Sequence, residues 1–447
     1  MGMLETRTLD FERLIIMSVN EGILPAGKKQ NSLIPFDACI EFGLPTHSQQ
    51  DAVMAYHFYR LLQRAKEVVM LHVLPSDTYG GGEKSRFLLQ IEHELAYINK
   101  NISLSYPKVV FQAKEKEKSK DELKIEKTPD ILAFIENDIT TKGIFPSHLN
   151  QFMACGLQYY FNRVAGIQEA EEVEDTLAAD RFGNWIHRTF ENIDKEFLAK
   201  DQRNVQAEDL QKIIDILPQY LEIAFKETNR GLQHQSGLNY IFYQVGEKIV
   251  RDFLTYQLEN EPFPLQLLDA EKKLTVVFET QVQGKIIPLK IAGRIDRLDR
   301  VKEHEIRVID YKTGKVEQKD LLKAKDQSTI EALEDKEKDK YRQLWLYKYM
   351  VLKLMSTGNE LNIKGVRLLA EQHQVSAGIY SFRNIQGGFL KQNVSFEENE
   401  SVEDFLKASE IQLSNFANQL LDPTQPFEKT DDLTTCERCT YQRICGR

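Results

Sequence analysis

The sequence predicts an α/β protein of at least two domains, and three observations predict it. An apolar run, RLIIMSV at 13–19, precedes a helical pattern at 55–68 and a second apolar run, VVMLHV at 68–73. A stretch too charged to bury a surface, QAKEKEKSKDELKIEK at 112–127, then interrupts the chain. Beyond it, helical segments reach about residue 258, a strand-rich block fills about 270–313, and a long helix covers about 338–355.

The bounds agree with that division. A chain of 447 residues exceeds one ordinary core. Its net charge of -10 argues against coating nucleic acid by bulk attraction, so any basic groove must be local. Gly293–Lys315 is such an island, with seven Lys or Arg against five Asp or Glu. No run of eighteen apolar residues exists, and MGMLETRTLDFERL lacks the basic start and apolar stretch of a signal peptide. The expectation is a cytoplasmic chain with no membrane partner.

Taking the elements in order, residues 13–19 end at the turn-like Asn20-Glu21-Gly22, as a buried parallel strand would. Strand, helix and strand then make part of a doubly wound domain. Gly80-Gly81-Gly82-Glu83-Lys84-Ser85 imitates a phosphate loop, but Glu83 stands where that motif needs glycine, so it reads as a flexible loop. Residues 112–135 read as a charged linker between a domain at 1–111 and another at 136–447. The second domain opens on FPSHLNQFMACGLQYYFNRVAGI (145–167), where Ser147 or Asn150 can cap a helix. A further helix is expected over Phe182–Phe197.

The chemistry concentrates in GRIDRLDRVKEHEIRVIDYKTGK, residues 293–315, which reads as two short strands. Side chains alternate along a strand, so Asp310 and Lys312 share a face, and a hairpin centred near Glu303 sets Asp296 opposite Asp310. Two opposed carboxylates repel unless something neutralises them. A divalent cation does so, since Mg²⁺ takes one or two protein carboxylates and fills its remaining positions with water and phosphate oxygens. Lys312 then aims a positive charge at a phosphate or an attacking water. In FGNWIHRTFE, His187 and Glu191 lie four apart on one helical face, and a neutral imidazole can ligate metal. Gln343 and Tyr347, in YRQLWLYKYM, are likewise four apart and offer an amide and a phenol.

His187, Asp296 in GRIDRLD, Asp310-Tyr311-Lys312-Thr313-Gly314 and Gln343-x-x-x-Tyr347 together resemble the ordered motifs of the PD-(D/E)XK nucleases, in their RecB and AddB branch. The resemblance covers about residues 145–447. It implies a central mixed sheet flanked by helices and a DNA exonuclease dependent on Mg²⁺ or Mn²⁺. His187, Asp296 and Asp310 would be metal ligands and Lys312 the catalytic lysine, with Gln343 and Tyr347 in the same site. An aspartate precedes the lysine where glutamate is also common, which the family's pattern allows.

Five cysteines, three of them in the last dozen residues, point to metal or cluster ligation and not to a disulfide framework. Cys436, Cys439 and Cys445 supply three thiolates and Cys155 a possible fourth, which suits zinc or an iron-sulfur cluster. Cys39 stands apart as a small buried hydrophobe. AddB-type nucleases resemble the chain here too, and the resemblance implies a structural [4Fe-4S] cluster on those four cysteines.

Residues 13–25 and 59–73 resemble the last motifs of superfamily 1 helicases, with Arg64 placed like an arginine that reaches a nucleotide's terminal phosphate. This implies a partial RecA-like subdomain lacking its nucleotide-binding half, with no ATP hydrolysis of its own. The whole then resembles the C-terminal part of a helicase-nuclease with an AddA-like partner subunit, working on DNA in break repair and recombination. The alternatives are a stand-alone iron-sulfur nuclease of the CRISPR-adaptation type and a catalytically idle DNA-binding scaffold.

Overall fold

The computed structural model describes residues 5–6, 9–25, 36–44, 47–73, 83–107, 123–168, 176–199, 204–302, 304–357, 368–437 and 439–446. The chain forms two compact units, Met1–Glu115 and Lys116–Arg447. In the first, β1 (Arg13–Ile16) and β2 (Glu67–Met70) pair in parallel around helix α1 (His47–Leu62). The strand-helix-strand order is the expected one, but the strands are not buried. Ile15 is 71% exposed and Val69 43%, because apolar cover reaches one face only, from Val19, Phe58, Phe87 and Ile91. Cys39 is buried as expected. Gly80–Gly82 lie outside the described residues. Lys84 pairs with Glu92 at 2.8 Å, and the buried Ser85 hydroxyl caps the helix at Arg86–Gln90.

The linker expected at 112–135 falls partly outside the described residues. Residues 108–122 lie outside the described set, but β3 (Lys124–Ile125) and helix α2 (Pro129–Thr141) belong to the second unit. Ile131 and Ile135 supply an apolar stripe that the lysine-rich stretch before them lacks, and Thr128 caps the helix ahead of Pro129 at its first position. Helix α3 (Pro146–Ala154) likewise starts at a proline, with Phe145 at its cap position and not Ser147 or Asn150.

Six strands make the central sheet: β4 (Asn204–Val205), β5 (Leu265–Val282), β6 (Lys285–Lys302), β7 (Glu305–Lys312), β8 (Gln374–Ser381) and β9 (Phe389–Gln392). They are hydrogen-bonded in chain order, antiparallel throughout except for the parallel β7–β8 pair. Parallel neighbours need a crossover, which includes the helix at Asp339–Ser356. Of the two short strands expected in residues 293–315, the second is β7, of 8 residues, whereas the first is the end of β6, which runs for 18.

Helices cover both faces. Helix α4 (Ala179–Ala199), α5 (Leu217–Thr228) and α6 (Gly237–Asn260) enclose one cluster with Ile309 and Tyr311 of β7. Helix α7 (Asp339–Ser356) and α8 (Val402–Leu420), with α2 and α3, enclose another with Ile306 and Val308. Alternate residues of β7 therefore serve opposite cores, as strand geometry dictates. Full burial of rings such as Phe190 and Phe253 contributes about 1.5–3 kcal/mol apiece. A last strand, β10 (Phe427–Glu428), pairs antiparallel with β3.

Candidate active site

The site is built where β5, β6, β7, α4 and α7 converge. Arg297 pairs with Ile309 in the β6–β7 ladder, so one step further Asp296 faces Asp310. The hairpin register expected from sequence is thus present, although Glu303 itself lies outside the described residues. Asp296 Oδ2 accepts the backbone N–H of Tyr311 at 2.7 Å. That bond fixes the carboxylate against the strand carrying its opposite number.

Asp310 is buried, only 3% exposed, and held on two sides. Its Oδ1 accepts from Gln343 Nε2 at 2.8 Å, and its Oδ2 lies 2.8 Å from Lys312 Nζ. Burial and the nearby Asp296 raise its pKa, with Lys312 acting against them. Burial opposes the charge on Lys312, yet Asp310 outweighs it and raises the lysine's pKa. Lys312 thus neutralises Asp310 directly, a role that the sequence reading gives to a metal alone.

Gln343 also donates to Tyr347 Oη at 3.0 Å, and burial raises that phenol's pKa. Helix α7 comes this close because Gly293 of β6 has no side chain. A Cβ there would meet Met350 Cε at 2.6 Å and Tyr347 Cε1 at 3.1 Å.

His187 reaches the site from α4. Its Nδ1 lies 3.5 Å from Asp296 Oδ2. Burial disfavours the imidazolium, but Asp296 and Asp310 outweigh it and raise the pKa. The helix is locked by Trp185, fully buried, whose ring packs so tightly on Gly246 of α6 that a Cβ there would lie 2.3 Å from it. Below it, Arg297 binds Asp194 of α4 at 3.1 Å and Asp299 at 2.7 Å. Such a buried network matters for register more than for net stability.

The sequence reading missed Glu271. Ala270 pairs with Arg297 and Lys272 with Ile295, so Glu271 sits across from Asp296 on β5, with a left-handed φ of 49°. One ligand atom each from His187, Glu271 and Asp296 come within 4.8 Å of one another. Burial and Asp296 push the Glu271 carboxyl up to about 7, against the pull of Arg294. Glu191, four residues along the same helix from His187, binds Arg188, Lys195 and Arg294.

The donors fit a hard divalent cation, which prefers oxygen with an occasional imidazole. Asp310 Oδ2 is a buried acceptor without an aligned hydrogen bond, which leaves a lone pair for a further ligand bond. Asp310 stands beside the trio of close ligand atoms, held by Lys312 and Gln343, and is not one of the three.

The sequence profile of the PD-(D/E)XK nuclease superfamily matches residues 145–446, which hold this sheet and every residue of the site. The chain belongs to that superfamily. A subunit of the ATP-dependent helicase/deoxyribonuclease of Streptococcus uberis is 22% identical over 287 residues, covering 58% of this chain and 24% of that protein. The chain thus spans about a quarter of the length of that curated relative. A solved structure titled "Crystal structure of SSO0001" covers 57% of this chain and 93% of its own at 14% identity, but its TM-score of 0.20 adds nothing on the fold.

Away from the PD-(D/E)XK site, Cys155 ends α3, and its Sγ lies 3.8 Å from Glu428 O on β10. Burial raises the Cys439 and Cys445 thiols, reinforced in both by Cys155 and Cys436. Cys155, Cys439 and Cys445 pack against the same core cluster. No helix among the described residues is long and apolar enough to cross a membrane.

Proposed function

We propose that this chain is a divalent-metal-dependent deoxyribonuclease, degrading DNA from its ends, and that it works within a helicase-nuclease of double-strand break repair and recombination. The observation that carries the reading is the juxtaposition of the His187, Glu271 and Asp296 ligand atoms with the Asp310–Lys312 ion pair. His187, Asp296 and Asp310 would hold Mg²⁺ or Mn²⁺, with Glu271 as an added carboxylate. A cation bound there would supply Lewis-acid assistance and lower the pKa of a coordinated water.

The chain's own groups do the rest. Lys312 places an ammonium where charge develops on the scissile phosphate, Gln343 fixes the plane of Asp310, and the Tyr311 N–H fixes Asp296. Tyr347 braces Gln343 in turn.

In the same reading, Cys155, Cys436, Cys439 and Cys445 carry a structural [4Fe-4S] cluster, with Zn²⁺ as the competing occupant. The N-terminal unit is the remnant of a RecA-like helicase subdomain, the partner an AddA-like subunit, and the compartment the cytoplasm. Support for this comes from the similarity to the streptococcal helicase/deoxyribonuclease.

End-labelled duplex and single-stranded DNA, incubated with Mg²⁺ or Mn²⁺, tests the activity. Release of label by the wild type and none by Lys312→Ala is the expected result. Survival of DNA ends with the wild type would sink the proposal.

A further inference from the structure

One charged side chain at the site has no part in the proposed cleavage. Arg294 precedes Asp296 by two residues on β6 and so shares its face. Its Nε lies 2.5 Å from Glu271 Oε2 and its Nη2 3.2 Å from Glu191 Oε1, while its side chain remains 48% exposed. Glu191 does not depend on this contact, because Arg188 and Lys195 bind it as well. Arg294 is the cation paired with Glu271 among the described ion pairs. A guanidinium therefore sits on a carboxylate that also contributes to the close trio of ligand atoms.

The two positive charges cannot share that carboxylate without repelling each other. A dication held by His187, Glu271 and Asp296 would take over the neutralising role that Arg294 fills without it. The displaced guanidinium has an open side toward solvent, and its planar fork matches two oxygens of a phosphodiester.

We infer that Arg294 is an exchangeable counter-ion: it holds Glu271 while the metal is absent and becomes a DNA-phosphate ligand once metal enters. This rests on the proposed metal-dependent nuclease reading and adds a positioning residue to it. Its consequence is an energetic link between the two ligands. Metal should strengthen DNA binding partly by releasing Arg294, and by linkage DNA should strengthen metal binding through the same residue.

The test uses the whole chain at a single alkaline pH. Mn²⁺ binding is measured by titration calorimetry, and binding of a labelled single-stranded oligonucleotide by anisotropy, with and without Ca²⁺. Wild type, Arg294→Gln, Arg294→Lys and Asp296→Asn are compared after thermal melts establish that each folds. For Arg294→Gln the expected results are Mn²⁺ affinity raised about threefold or more and oligonucleotide affinity in Ca²⁺ lowered about tenfold. Without metal its oligonucleotide affinity should match the wild type. Arg294→Lys keeps the charge but not the fork, so its Mn²⁺ affinity should stay near wild type while DNA affinity falls.

Unchanged Mn²⁺ and oligonucleotide affinities in Arg294→Gln would overturn the inference and leave the nuclease reading standing. Equal Mn²⁺ affinities in wild type and Asp296→Asn would show that the trio is not a metal site, and both would fall.

Discussion

The Tyr311 N–H donates to Asp296 Oδ2 across 2.7 Å, so the backbone between Asp310 and Lys312 is itself what orients the opposing aspartate. The tripeptide thus supplies a carboxylate, a hydrogen-bond donor and a cation from consecutive residues. The Tyr311 ring meanwhile packs in the other core, stacked on Phe382 and tilted against Phe190. Small displacements of β7 consequently disturb all three groups together.

Replacing Lys312 by Ala should remove the charge aimed at the phosphate. A loss of about 10²–10³-fold in the cleavage rate is expected, by analogy with removal of one preorganised electrostatic group. Single-turnover cleavage with saturating Mg²⁺ measures it. A variant within threefold of wild type would rule out the lysine's catalytic role.

Glu271 gives a pH signature whose sign can be worked out. Its folded pKa is raised from the ordinary 4.5 to about 7, so its protonated form favours the fold. That contribution is complete below 4.5 and disappears as pH rises through about 7. Glu271→Gln should therefore match wild type near pH 4 but melt higher at pH 8 without metal, by roughly 1–3 kcal/mol. Denaturant melts at the two pH values decide it, and a lower stability at pH 8 would contradict the assignment.

Gly246→Ala should cost about 2–3 kcal/mol, since the new methyl would overlap the Trp185 ring. The ring cannot easily retreat, because its Nε1 donates to Leu221 O at 3.0 Å. Chemical denaturation reads the loss. Wild-type stability would mean that α4 and α6 are less firmly packed than described.

Gly293→Ala should be milder in stability and sharper in rate. Met350 Cε is the end of a flexible chain and can move aside, whereas Tyr347 must give by a few tenths of an ångström and carries Gln343 with it. A destabilisation of about 1 kcal/mol with a several-fold drop in kcat is expected. Equal loss in KM alone would point to DNA binding instead.

The cysteines offer a spectroscopic test. Protein prepared without oxygen should be brown, with absorbance near about 400 nm, and Cys436→Ser should bleach it and lower Tm. Colourless protein carrying one zinc would replace the cluster with a zinc clasp.

Much of this was legible in the residues. The 3.6-residue pattern marked α4 within three residues at each end and α7 within one, and the spacing of Asp296 and Asp310 foretold their register. Glu271 was not legible, because its place depends on a strand pairing made 25 residues before Asp296, which leaves no motif. Strand β8 escaped for a different reason. Gly378 reads as a breaker, yet here it admits Leu390 O so closely that a Cβ would lie 2.6 Å from it. The surface strands β1 and β2 looked buried, since composition reports apolarity and not what covers it.

The pairing of β3 with β10 brings together positions about 300 residues apart, with Lys124 and Glu428 in contact at 2.6 Å. The pairing thus ties the early and late parts of the second unit together at one seam. A circular permutant joined near that seam and reopened elsewhere on the surface is the form in which the unit's autonomy would be seen.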